Sequence, residues 1–148
     1  MTQQKSDYRV LIADDYQPDL ELLAVAMKAA PQLSIAHAAL NGEQTIDYLK
    51  GNAPFNDREL FPLPQLLLLD LKMPGIDGFG VLHWLQTNPI PNLAVFVLTG
   101  TMNPTDEIRA RAMGADAFFK KQPMIEQNRE TMRAIQQRLE ARREAGNN

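Results

Sequence analysis

The chain predicts an α/β fold, a doubly wound five-stranded parallel sheet with helices on both faces. Three observations predict it. Short apolar runs alternate along the sequence with segments of helical periodicity. Two of those runs, Leu66–Leu69 and Ala94–Leu98, carry no polar residue at period two, as strands covered on both sides do. Four of the five runs end in a charged or hydroxyl side chain, and a parallel sheet brings all such ends to one edge.

In order, Tyr8–Ala13 (YRVLIA) is apolar with β-branched members and ends at Asp14-Asp15, a first strand. Pro18 suits a first helical turn, and Leu20, Leu23, Met27 and Ala30 follow at helical spacing until Pro31. Leu33–Leu40 is a second strand. Asn41-Gly42 is a turn signal, and Ile46 and Leu49 mark a short amphipathic helix ending near Gly51. Residues 52–64, NAPFNDRELFPLP, carry three prolines and no period, a loop longer than most connections. It is expected as a surface excursion with Phe55, Leu60 and Phe61 tucked onto the sheet, or else as a binding loop.

Leu66–Asp70 is the central strand and breaks at Pro74-Gly75. Asp77-Gly78 opens a helix carrying Phe79, Leu82 and Leu85, with Trp84 on its other side, and Asn88-Pro89 closes it. Ala94–Thr99 is the fourth strand. Pro104–Met113 is a modest helix with Ile108 and Met113 as its few apolar contacts, which predicts mobility, and Gly114 ends it. Ala115–Lys121 is the fifth strand. The last helix is expected from Pro123 to about Arg143, with Ile125, Met132, Ile135 and Leu139 inward.

The 148 residues suit one domain, 1–148 with a core of about 7–143, long enough to fold without disulfides or a structural metal. There is no cysteine, which excludes disulfide frameworks, thiolate zinc sites and cysteine nucleophiles. The polar start MTQQKSDYRV has no signal-peptide character, and no apolar run reaches membrane-spanning length, so a cytoplasmic location is expected. A net charge of −3 argues against non-specific nucleic-acid binding. Arg138, Arg142 and Arg143 are expected as a solvated helix end, and His37 and His83 as strand-face or surface residues.

Asp70, at the end of a central strand, either caps its loop or carries chemistry. Asp14 and Asp15 favour chemistry, because with Asp70, Thr99 and Lys121 they converge on the same sheet edge. Three crowded carboxylates must protonate or bind a cation. Oxygen ligands without His or Cys favour Mg²⁺, which shares its shell with phosphate oxygens, so the pattern points to phosphoryl transfer onto a carboxylate.

Asp14-Asp15, DLKMPGIDG around Asp70, Thr99-Gly100 and GADAFFKK together resemble the receiver domain of bacterial two-component response regulators. The resemblance covers residues 7–143 and implies a flavodoxin-like receiver fold. It implies Asp70 as phosphoacceptor, with Asp15 binding Mg²⁺ directly, Asp14 assisting through water and Lys72 lending its backbone carbonyl. It also implies that Thr99 and Lys121 hold phosphoryl oxygens and that Phe118 is the switch aromatic. The implied partners are a sensor histidine kinase and a downstream protein, reached through the fourth helix, fifth strand and last helix. Part of the last helix's apolar stripe could support a homodimer. The 52–64 segment resembles single-domain regulators that partner phytochrome kinases. Such a protein catalyses only its own phosphorylation and dephosphorylation. The family usually has Lys-Pro where this chain has Lys121-Gln122; a cis bond before Gln is costly, so a trans peptide is expected, with Lys120 as a possible substitute for Lys121.

Three alternatives remain. A Mg²⁺-dependent phosphatase with an aspartyl nucleophile would use similar parts, but Lys72 stands where its acid/base aspartate belongs. A flavin mononucleotide carrier would find its phosphate repelled by Asp14-Asp15. A phosphorylation-independent binding scaffold would commonly have lost one of these site residues.

Overall fold

The computed structural model describes residues 7–101 and 103–146. Its elements are β1 (Tyr8–Ala13), α1 (Gln17–Met27), β2 (Leu33–Ala39), α2 (Gly42–Lys50), β3 (Leu66–Leu69), α3 (Gly78–Thr87), β4 (Ala94–Thr99), α4 (Pro104–Ala112), β5 (Ala117–Lys120) and α5 (Ile125–Gly146). All strand pairs are parallel and the order is β2-β1-β3-β4-β5, so the chain winds one way from β1 and then the other. This is the doubly wound five-stranded sheet read from the sequence.

Strand alternation divides the core in two. Val10, Ile12, Leu66, Leu68, Phe96 and Leu98 point to α1 and α5, whereas Leu11, Leu67, Leu69, Val95 and Val97 point to α2, α3 and α4. All four β3 leucines are buried, because their strand has neighbours on both sides and helices on both faces. In β2 the register slips between Val10 and Leu11, and Val10↔Ile35 is followed by Leu11↔His37. The bulge turns His37 towards α2, where its ring stacks on Tyr48 at 5.2 Å and meets Phe55 and Phe61 edge-on.

Those aromatics anchor the 52–64 segment. The Arg58 guanidinium donates to the carbonyls of Tyr48 (2.9 Å), Leu49 (3.0 Å) and Phe61 (3.2 Å), and the Tyr48 hydroxyl donates to the Pro62 carbonyl at 2.8 Å. Arg58 thus adds a donor to the last carbonyls of α2, where the Tyr48 carbonyl also accepts from Gly51 N–H at 3.2 Å. Phe55 and Phe61 pack inward as expected, but Leu60 is 70% exposed.

Other expectations shift. The inner face of α3 is Val81 and Leu82; Phe79, Trp84 and Leu85 are all partly buried on that same cluster, so Trp84 does not face away. In α4 the buried contact is Ala110, and Ile108, two residues away and so on the opposite side of the helix, is 71% exposed. In α5, Met132, Ile135 and Leu139 are core, leaving little of the stripe for a homodimer; Asn128, not anticipated, is buried with them. Arg142 and Arg143 are exposed, as expected of a solvated helix end, and pair with acids at the strand starts, at 3.1 Å from Asp116 and 3.7 Å from Asp7. The Lys121–Gln122 peptide is trans.

Candidate functional site

The site lies where β1, β3, β4 and β5 end. Asp14 and Asp70 each continue a ladder by one hydrogen bond, Asp14 N–H to the Ala39 carbonyl (3.0 Å) and Asp70 N–H to the Ala13 carbonyl (2.9 Å). Their side chains therefore start from fixed backbones on neighbouring strands. Lys121 is held likewise, its N–H on the Thr99 carbonyl at 2.8 Å. Beyond it, the Asn128 side chain accepts from Gln122 N–H (3.1 Å) and donates to the carbonyls of Gln122 (2.8 Å) and Met124 (3.2 Å), which fixes the turn into α5.

Two glycines let the loop after β3 close tightly. A Cβ on Gly78 would stand 2.4 Å from the Asp70 carbonyl oxygen, and one on Gly42 would stand 2.2 Å from the Ile76 carbonyl oxygen. Gly75 has φ +71°, and the Glu43 carboxylate accepts from Ile76 N–H at 2.9 Å, pinning this loop to α2. Asp77 accepts from Gly80 N–H at 2.9 Å and caps α3.

The Asp70 carboxylate is buried and almost fully engaged. Its Oδ1 accepts from Lys72 N–H and from the Thr99 hydroxyl, each at 3.2 Å, and its Oδ2 accepts from Lys121 Nζ at 3.0 Å. Asp14 is buried as well; its Oδ1 accepts from Tyr16 N–H at 3.0 Å. Its Oδ2 touches Lys121 Nζ at 2.5 Å as an ion pair but lacks an aligned hydrogen bond. Asp15 is exposed, and one oxygen each from Asp14, Asp15 and Asp70 fall within 4.8 Å of one another. Burial pushes the Asp14 carboxyl above the usual carboxylate range, against the downward pull of Lys121 and the Tyr16 N–H. For Lys121, burial pulls downward, but the close contacts with Asp14 and Asp19 and the charges of Asp70 and Asp14 outweigh it, and the ammonium is held above its ordinary value.

Asp14, Asp15, Asp70, Thr99 and Lys121 thus come together; Lys120 is exposed and apart from the carboxylates' ion pairs. Lys72 is exposed and lines, with Asp15, Asp77, Phe79, Asp106 and Arg109, a cleft of about 550 Å³ beside the carboxylates. Phe118 is buried on the α2–α4 side of β5. Asp19, in the first turn of α1, escaped the sequence reading; its Oδ2 accepts from Lys121 Nζ at 2.9 Å. An acid there is already explained by the positive end of a helix, so no pattern marked it as part of the site.

This arrangement fits a hard divalent cation. The donors are carboxylate oxygens, one of them is buried without an aligned hydrogen bond, and one donor group faces solvent as an entry path. Among the described residues no helix is long and apolar enough to cross a membrane.

The model of the response regulator receiver domain matches residues 10–139. A curated relative, a protein-glutamate methylesterase/protein-glutamine glutaminase of Methanospirillum hungatei JF-1, is 31% identical over 78% of this chain but only 30% of its own length. The chain thus spans about a third of that relative. Among solved structures, the response regulator RPA3017, described in red light signalling of R. palustris, is 30% identical with a TM-score of 0.77, covering 86% of this chain and 90% of the other. The Mn²⁺-bound form of response regulator Rcp1 is 25% identical with a TM-score of 0.71, covering 86% and 91%.

Proposed function

The chain belongs to the response regulator receiver family, and on that premise we propose that it accepts a phosphoryl group on Asp70 and signals by a change of shape at the Thr99–Phe118 end of the sheet. The observation that carries this reading is the Asp70 carboxylate, buried at a strand end, with a hydroxyl on one oxygen and an ammonium on the other. An Asp70 oxygen forms a bond to phosphorus while the bond from phosphorus to the donor, the imidazole nitrogen of a kinase phosphohistidine, breaks. The leaving nitrogen keeps the electron pair. Asp14, Asp15 and Asp70 would hold Mg²⁺, which would supply positive charge against the carboxylates and the transferred oxygens. Lys121 and Thr99 already touch the acceptor and need only follow the new oxygens. Lys72, two residues past Asp70, is a poor substitute for the acid/base aspartate that an aspartyl phosphatase carries there.

We further infer a histidine kinase of the phytochrome type as donor, in the cytoplasm; the support is the likeness to RPA3017 together with the aromatic-anchored 52–64 segment. Output goes to a downstream protein or a second copy through α4, β5 and the start of α5, where Ile108 and Met124 are exposed. Thr99 moving onto a phosphoryl oxygen vacates space beside Phe118, and α4, anchored by few apolar contacts, follows. The test is labelling with acetyl phosphate and Mg²⁺: the parent takes one phosphoryl group by mass spectrometry and Asp70→Asn takes none. Equal labelling of the variant would overturn the assignment.

A further inference from the structure

We propose that Asp19 is a positioning residue for the phosphoryl site, fixing the Lys121 ammonium beside Asp70 from the first turn of α1. The inference rests on the reading of Asp70 as phosphoacceptor. Lys121 Nζ lies 2.5 Å from Asp14 Oδ2, 2.9 Å from Asp19 Oδ2 and 3.0 Å from Asp70 Oδ2. An ammonium has three N–H bonds, and its aligned ones here go to Asp19 and Asp70.

The three carboxylates are not equivalent. Asp14 and Asp70 belong with Asp15 to the group whose oxygens converge within 4.8 Å, and Asp19 stands outside it. A cation taken up by that group competes with the ammonium for Asp14 and Asp70. It leaves Asp19 to Lys121. Transfer to Asp70 then converts one of its oxygens to an acyl phosphate oxygen and lessens the hold of Asp70 itself. Through each of these changes Asp19 keeps the same bond, on a helix fixed against β1 and α5. A lysine needs such a hold more than most groups, because its four-carbon stem is flexible and its charge is a point.

An acid that merely favours the helix end would affect stability and leave Lys121 where it is. The full chain separates the two roles. In ¹⁵N-lysine-labelled protein, the Lys121 side-chain NH₃⁺ resonance should be sharp and slow to exchange in the parent, lost in Asp19→Asn, and partly regained in Asp19→Glu, with the backbone amide spectrum intact in all three. With acetyl phosphate at saturating Mg²⁺, the labelling rate should fall about tenfold in Asp19→Asn, the worth of one charge-assisted hydrogen bond. The same substitution made on Lys121→Met should cost nothing further. An unchanged NH₃⁺ signal in Asp19→Asn, or a tenfold loss that persists without Lys121, would overturn the proposal. A parent that takes no label on Asp70 instead overturns the reading of the site, and the ammonium resonance still reports on Asp19 alone.

Discussion

The floor of the site is a contact between two backbones, and Gly78→Ala loads it directly. The added Cβ would lie 2.4 Å from the Asp70 carbonyl oxygen and 2.7 Å from Leu71 Cα, whereas ordinary contact begins near 3.4 Å. The overlap is therefore about 1 Å, against atoms that extend β3 and cannot swing aside as a side chain would. Overpacking of this kind costs about 1–3 kcal/mol, and backbone against backbone places it near the upper figure. Alanine returns at most ~1 kcal/mol through helix propensity and a stiffer unfolded chain. The net expectation is a loss of about 2 kcal/mol, or a melting temperature lower by about 6 °C for a chain of this size. Urea unfolding in chelator, followed by the single Trp84, measures it; the m-value should not change. Gly100→Ala, whose Cβ would meet nothing within 4 Å, is the control. If Gly78→Ala stays within about 0.5 kcal/mol of that control, α3 does not press on the acceptor strand and the reasoning fails.

Asp15→Ala should lose Mg²⁺-dependent labelling while the metal-free protein unfolds at the same or higher urea, since one of three crowded carboxylates is gone; a drop in metal-free stability would contradict that account. Asp14 carries a pH signature: its folded pKa is raised, so the folded state holds its proton more tightly and this group's contribution to stability falls as pH rises through the raised value. Asp14→Asn should thus be favoured most over the parent near neutral pH, and urea midpoints across pH should show that advantage shrinking as pH falls. Arg58→Ala should cost about 1–3 kcal/mol by removing the donor to the carbonyls of Leu49 and Phe61, and should speed hydrogen exchange over residues 52–64 far more than in β3; uniform exchange would mean that Arg58 does not hold the segment.

The strands were legible because β3 and β4 are covered on both faces, and burial of that kind writes itself as unbroken apolar runs. The carboxylates followed, since a parallel sheet can deliver strand ends only to one edge. Ile108 misled because a nine-residue helix with one large apolar residue invites that residue inward, whereas the face of α4 turned to the core is the opposite one, which carries Ala110. The β2 bulge was invisible: in LSIAHAA the small residues mark no phase, so nothing foretold that His37 would turn to Tyr48. Asp19 acts on a lysine 102 residues away and Asn128 on the turn just before its own helix, and periodicity carries no record of such partners.

The neighbours β1 and β3 meet only after α1, β2, α2 and the aromatic-anchored segment have all been laid down between them. Asp14 and Asp70 are therefore far apart along the chain, and their mutual repulsion enters only when the central strands pair. A cation that offsets this repulsion acts on the finished fold more than on the barrier leading to it. It should lengthen the life of the folded molecule by slowing its escape, and leave the speed of arrival nearly unchanged. Occupancy of the carboxylate cluster would then set the domain's persistence.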